Sequence, residues 1–434
     1  MSVAVIGAGW AGCVAAVELM RRGRQVLLVE AARQVGGRAR RLDLLHQGQS
    51  LALDNGQHIL IGAYRDTLRM MHSLDLQPAQ LLKRLPLTLR FADGRGLSLP
   101  PWRHHAPAGL AAGAGILGAR GWTLSDKFKL LRWALGWQLR RFECEAEQSV
   151  LDLCKDLPQV LVDALIAPLC VSALNTPIER ASGSVFLRVL QDALMSSRDG
   201  SDLLLPLCDL GGLLPQAAVH KLQDQGQSVR LGARVLTLRQ GPSGWELEVQ
   251  QEGQTVVEVA EAVVLACPSG EAARLVSTLP RTQDWQQQAL ALQHEAITTV
   301  YALSRGSRLP QPMLALDASE TAPAQFVFDR GQLGGPDGLL AFVVSASRGE
   351  RQDLERRVLA QAQRELGLGQ LTLVQTVVER RATFACTPGL QRPGPQVMVG
   401  ETSLLACGDY IAGPYPATLE GAVRSGLSAA AGLS

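Results

Sequence analysis

The sequence predicts an α/β protein: a Rossmann-like dinucleotide-binding domain interrupted by an inserted α+β substrate domain. Three stretches carry that prediction. Residues 3–30 read strand, glycine turn, helix, strand and acid. Residues 35–40, VGGRAR, set two glycines and two arginines just after that acid. Residues 404–422 run from a strand through Gly408-Asp409 and a proline-rich turn toward a helix. A nucleotide held from both chain ends would make its domain discontinuous. The expected division is 1–80, 202–269 and 397–434 for the nucleotide domain, 81–201 for a helical part of the substrate domain and 270–396 for its sheet part.

In the first stretch, Val3 to Ile6 is a short apolar run of strand type. Gly7, Gly9 and Gly12 form G-x-G-x-x-G, with Trp10 and Ala11 between them. A helix is expected over 11–22, with Val14, Val17 and Leu19 apolar and Gly23 as its stop. A second strand over 25–29 ends at Glu30. Gly7 permits a tight turn, Gly9 lets a pyrophosphate reach the backbone, and Gly12 allows close helix–strand packing. The helix N-terminus offers free N–H groups and a positive dipole end to phosphates. A carboxylate at Glu30 accepts from ribose hydroxyls and favours FAD or NAD over NADP. Gly37 and Arg38 can bring backbone and a cation near phosphate. The Arg33–Arg38 run resembles the R-x-G-G-R stretch of two-dinucleotide-domain flavoproteins, with one residue inserted. After Glu30 it favours FAD.

Residues 54–65, DNGQHILIGAYR, pack polar groups around Gly56 before an apolar run, the pattern of a loop turned toward a ligand. This stretch and the N-terminal unit together resemble the flavin-containing amine oxidase and phytoene desaturase superfamily. Within it, 54–65 is similar to the squalene-associated branch, the bacterial hydroxysqualene dehydroxylases. The resemblance implies that Gly56, Gln57 and His58 approach the flavin ring, and that Val235 contacts adenine through its backbone. It also makes the P-A-T-x-E-G-A run after Gly408-Asp409 the C-terminal FAD motif. There Asp409 would accept from ribityl or ribose hydroxyls. A helix starting near Thr418 and Leu419 would aim N–H groups at the flavin, where negative charge grows on reduction.

Between 81 and 201 the dinucleotide punctuation disappears, prolines recur and long helical patterns appear. Residues 127–142, KFKLLRWALGWQLRRF, combine cations with Trp133 and Trp137, which suits an amphipathic helix at a membrane interface. The alternative is a packed helix with a solvated basic face. Residues 227–238 read strand, turn, strand; 245–259 alternate as a hairpin; 262–268 are a buried strand. Residues 298–303 and 338–345 are strand-like, and 351–366 form a charged helix.

The whole chain sets limits on function. Its 434 residues suit two domains, and 47% hydrophobic with 19% charged residues describes a globular protein. A net charge of +2 gives no footprint for nucleic acid. Eight scattered cysteines without a C-x-x-C pair argue against zinc or a disulfide framework, and suit a reducing cytoplasm. The apolar N-terminus lacks the basic region of a signal peptide, and no run of about twenty apolar residues can span a bilayer.

The resemblance implies an FAD-dependent oxidoreductase that takes a long isoprenoid, removes the hydroxyl of hydroxysqualene and delivers hydride. Carotenoid-type desaturation and amine oxidation are the alternatives, with a non-catalytic flavin-binding module behind them. Many superfamily amine oxidases use a lysine in the C-terminal half; here no lysine follows Lys221. Candidates for the acid are His58 and Asp54, between which the sequence does not choose. Tyr410 and Tyr415 are candidates for stabilising positive charge through their ring faces. The electron donor leaves no second fingerprint. Contact of 127–142 with the inner membrane would be peripheral.

Overall fold

The computed structural model describes residues 2–195 and 197–433. Strand β1 (Ser2–Ile6) turns into helix α1 (Trp10–Arg21), which returns as β2 (Gln25–Glu30). From Val3 to Ile6 every residue of β1 is buried, because the strand is covered on both faces. Before the helices of the insert come three short strands, Leu82–Leu85, Thr88–Arg90 and Gly96–Ser98. The expectation of a mainly helical 81–201 therefore misses a strand-rich start. Strands of three or four residues are too short to leave an alternating pattern.

Helices α2 (Ala108–Gly118) and α3 (Leu124–Leu139) follow. Thr123 and Asp126 start α3 as a capping box: the Thr123 hydroxyl accepts from the Asp126 amide at 3.2 Å, and the Asp126 carboxylate accepts from the Thr123 amide at 3.0 Å. Because α3 ends at Leu139, Phe142 lies beyond it. Helix α4 (Ala167–Leu174) stops at Asn175, which takes a left-handed conformation at φ 47°. The Asn175 side chain then accepts from the Ala346 amide at 2.7 Å and donates to the Thr383 hydroxyl at 2.9 Å, tying the helical insert to the sheet beyond. Helix α5 (Gly183–Met195) completes the insert.

The chain next supplies β3 (Ser228–Leu231) and β4 (Ala262–Leu265), separated by an antiparallel three-stranded ribbon over 233–260. A five-stranded antiparallel sheet follows: β5 (His294–Leu303), β6 (Met313–Ala315), β7 (Phe326–Asp329), β8 (Leu339–Ser345) and β9 (Thr372–Phe384), in the order β6-β7-β8-β5-β9. Helix α6 (Arg351–Leu366) covers one face of it. That face carries Val300, Val327, Phe342 and Val344, packed on Leu354 and Val358. The residues between them point the other way, as a period of two requires. Finally β10 (Leu404–Ala406) leads into α7 (Leu419–Gly432).

The first sheet is fully parallel in the order β3-β2-β1-β4-β10, with Val3 opposite both Val26 and Ala262. It draws on the first 30 residues, on 228–265 and on 404–406. Helix α7 packs on α1, where the chain ends meet. Among the described residues no helix is long and apolar enough to cross a membrane.

Candidate functional site

One large cavity, about 960 Å³, is bounded at one end by the glycine turn after β1 and at the other by the antiparallel sheet. The glycine end is shaped by what cannot fit there. Gly7 has φ 113°, and a Cβ on it would lie 2.6 Å from the Ala266 carbonyl oxygen. A Cβ on Gly12 would fall 1.9 Å from the Gly7 oxygen, so α1 can sit this close to β1 only through glycine. Gly9 differs: the nearest atom to its Cβ position is the Gly37 Cα at 4.0 Å, and that space opens on the cavity. The Gly36 amide donates to the Ala8 carbonyl at 2.8 Å, which lays the second glycine cluster against the first. Trp10 and Ala11 also line this end, and the Trp10 indole donates to the Ala39 carbonyl at 3.2 Å.

Glu30 sits at the tip of β2 on the cavity wall. Its carboxylate accepts from the Ala8 amide at 2.7 Å and the Ala32 amide at 2.8 Å, which fixes its position beside the turn. Val235 lines the cavity as well, and its carbonyl accepts from Arg274 at 3.0 Å. Arg38 forms an ion pair with Asp409 and donates to the Ala382 carbonyl at 2.8 Å. Asp409 follows Gly408, where a Cβ would meet the Tyr410 ring at 2.7 Å. Thr418 caps α7 by accepting from the Gly421 amide at 3.0 Å, and Thr418 and Leu419 bring the positive end of that helix to the cavity.

Between the two ends, Asn55, Gly56, Gln57, His58 and Tyr410 line the wall. Three buried polar atoms here have no hydrogen-bond partner among the described residues: Asn55 Nδ2, Gln57 Nε2 and the Tyr410 hydroxyl. Buried donors are nearly always satisfied, so three on one cavity mark where a ligand supplies acceptors. The Cβ position of Gly56 also faces open space, with only His58 Cε1 at 3.7 Å. Open glycines at a phosphate-type turn, a carboxylate at the end of β2 and orphaned donors farther along fit a flavin dinucleotide laid along this wall. Burial holds the Tyr410 phenol well above its ordinary range, so it keeps its proton.

Two expectations for the acid need correction. His58 Nδ1 lies 3.0 Å from the Gly56 carbonyl and donates to it. Burial, more than any neighbour, lowers the pKa of the imidazole, so near neutral pH the ring is uncharged and Nε2 is an acceptor. Asp54 does not line the cavity. Its carboxylate accepts from the Leu210 amide at 2.8 Å and stands 3.8 Å from Arg330 Nη2, while its carbonyl accepts from the Tyr301 hydroxyl at 2.9 Å. Burial pushes the Asp54 carboxyl up to about 6. The outcome is structural: β-strand alternation at 49–54 turns Asp54 away from the cavity, and the loop beyond it lines the wall. Arg330 also donates to Gln57 Oε1 at 3.3 Å, which leaves Gln57 Nε2 free for the cavity.

Tyr415 lines the cavity but is half-buried, and the Arg424 guanidinium covers one face of its ring at 5.1 Å. The far wall is apolar. It uses Phe186, Val189 and Leu190 of α5 and Phe326, Phe328 and Val343 of the sheet. Phe326 and Phe328 are two apart and share the sheet face opposite α6. That spacing was visible in the sequence; the roles of Asn55, Arg330 and Tyr301 had no local signature.

Comparison with known proteins places this geometry. Two relatives named hydroxysqualene dehydroxylase cover the chain almost end to end. The one from Rhodopseudomonas palustris is 28% identical over 99% of this chain and 97% of its own length, and the one from Sinorhizobium fredii is 26% identical over the same shares. The solved structure of an oxidoreductase from Methanosarcina mazei superposes with a TM-score of 0.73 at 15% identity, covering 99% of both chains, and so shares the fold. Residues 10–434 match the family of flavin-containing amine oxidoreductases. With a dinucleotide cradle, an orphaned donor wall and that match over nearly its whole length, the chain belongs to the flavin-containing amine oxidoreductase family.

Proposed function

We propose that this FAD-dependent oxidoreductase converts hydroxysqualene to squalene, the activity that its Rhodopseudomonas and Sinorhizobium relatives carry in their names. The observation that carries the proposal is the juxtaposition of an apolar wall with three unpartnered donors in one cavity. A long hydrocarbon needs a dry surface matched by shape, and its single hydroxyl needs a donor. The segments 1–80, 202–269 and 397–434 hold the cofactor in this reading, and 81–201 with 270–396 hold the substrate.

A bound, reduced flavin supplies the hydride. The protein has the remaining tasks. The allylic C–O bond breaks with its oxygen leaving as water, so a proton must reach that oxygen as the bond lengthens. Tyr410 lines the cavity and its buried O–H has no hydrogen-bond partner among the described residues, and we assign it as the donor that holds the hydroxyl. Asn55 and Gln57 add N–H donors, with Gln57 oriented from behind by Arg330. Phe186, Phe326 and Phe328 exclude water, and their ring faces favour positive charge developing at carbon. Amine oxidation has less support, because no lysine follows Lys221. The free thiols of all eight cysteines suit a cytoplasmic enzyme, in peripheral contact with the inner membrane through the 127–142 region.

The test is an anaerobic single turnover. The flavin-loaded enzyme is reduced and mixed with hydroxysqualene, and flavin absorbance is followed while lipids are extracted. Squalene formed in step with flavin reoxidation is expected. Unchanged flavin and no squalene from a fully loaded enzyme would overturn the reading and direct the next assay to polyene desaturation with oxidised flavin.

A further inference from the structure

Helix α3 is apolar on two sides. One side packs inward: Leu130 and Trp137 are buried, and the Trp133 indole donates to the Leu153 carbonyl at 2.7 Å. The tryptophans are thus core residues and not the interfacial anchors that their sequence pattern suggested. The other side carries Leu124, Phe128, Leu135 and Leu139, spaced by four, seven and four, which is one helical face. All four are more than half exposed, and Leu139 reaches 77%. Leu110 and Leu117 of α2, seven apart on one face, are also exposed, as is Trp102 just before that helix. Helix α2 packs on α3. An apolar patch of this extent marks a surface that meets something.

Its charge says what. Residues 101–142 contain seven Lys and Arg (103, 120, 127, 129, 132, 140 and 141) against one acid, Asp126. Arg103 is turned inward to buried Asp202 at 2.6 Å, and Lys127 donates to the Leu117 carbonyl at 2.8 Å. Arg120, Lys129, Arg132, Arg140 and Arg141 remain exposed beside the patch. Exposed leucines and a phenylalanine bordered by an excess of cations match the interface of a bilayer with anionic headgroups, where the side chains enter the acyl boundary and the cations meet phosphate. Helix α2 also packs on α5, whose Phe186, Val189 and Leu190 line the cavity, so the hairpin that carries the patch rests on the helix that supplies part of the apolar wall.

We infer that the exposed face of the α2–α3 hairpin seats the protein on an anionic bilayer and sets the apolar cavity wall next to the membrane. The purpose of this seat rests on the proposed lipid substrate, but its existence does not, so the test contains no substrate.

Flavin-loaded protein is floated with vesicles of phosphatidylcholine alone and of an equal mixture with phosphatidylglycerol. Binding to the mixed vesicles is expected, weaker at high salt. It should fall by roughly tenfold or more in L135E/L139E and in K129E/R132E. Flavin absorbance and thermal midpoint check that both variants remain folded, since none of these side chains is buried. Failure of the wild type to bind anionic vesicles, or equal binding by both variants, overturns the inference. So does a dimer in sedimentation that L135E/L139E abolishes while vesicle binding is absent, which would give the face to a second copy. Loss of the dehydroxylase reading alone would leave vesicle binding intact.

Discussion

Arg38 and Asp409 stand 371 positions apart and form an ion pair at the wall of the cavity. Arg38 leaves the glycine cluster after β2, and Asp409 follows β10, so the pair joins the two chain segments proposed to cradle the cofactor. Arg38 is partly exposed, which screens the interaction. Arg38→Ala is expected to cost about 1–2 kcal/mol of stability and to release flavin during gel filtration. Asp409→Asn should weaken retention less, because a neutral acceptor remains. Flavin-to-protein absorbance ratios after filtration check both.

Gly9 and Gly12 make a matched pair. Gly9 sits at φ −71° and ψ 179°, a conformation open to any residue, and its Cβ position faces the cavity. Gly9→Ala should therefore fold normally and lose flavin affinity by roughly tenfold or more, as the methyl occupies phosphate space. Gly12→Ala should instead lower the apoprotein's thermal midpoint, because its Cβ would lie 1.9 Å from the Gly7 oxygen. The expected cost is about 3 kcal/mol or more. Calorimetry without flavin separates the two effects.

Tyr410→Phe keeps the ring that packs over Gly408 and removes only the unpartnered hydroxyl. No protein hydrogen bond is lost, so the thermal midpoint should hold or rise. Single-turnover squalene formation should slow by about 10²-fold, the scale of one positioned hydrogen-bond donor. An unchanged rate would remove Tyr410 from the reaction.

Asp54 gives a pH signature. Its carboxyl ionises near 4 in the unfolded chain and at about 6 in the fold. Between those values the native state holds the extra proton, so this group's contribution makes stability fall as pH rises from about 4 to 6. Two units correspond to about 3 kcal/mol. Asp54→Asn keeps an acceptor for the Leu210 amide and should flatten that slope, while turnover retains most of its rate because the side chain does not face the cavity. Urea unfolding at several pH values measures the difference.

Some features were legible because their causes are local. The β1–α1–β2 unit needs only thirty neighbouring residues, and Gly12 and Glu30 act on atoms within that span or just beyond it, while the close neighbour of Gly7 is the distant Ala266. Helix α6 was read at its observed limits, 351–366, since a charged face opposite an apolar one is a period of 3.6 in plain view. Other features depended on distant partners. Trp133 and Trp137 looked like interfacial anchors because composition does not say which of a helix's two apolar sides packs inward. Asp54 looked like an acid because its pattern does not reveal Arg330 and Tyr301 behind it.

The chain of amino acids thus determined the dinucleotide unit, the discontinuous nucleotide domain as an expectation, and the choice of a flavin, through turn glycines and a terminal acid whose geometry is set within a few residues. Tertiary structure decided which donors are left without partners, which carboxylate is hidden, and which face of α3 meets solvent. Those are properties of packing. Burial and hydrogen-bond satisfaction depend on side chains hundreds of positions away, and a local pattern holds no record of them.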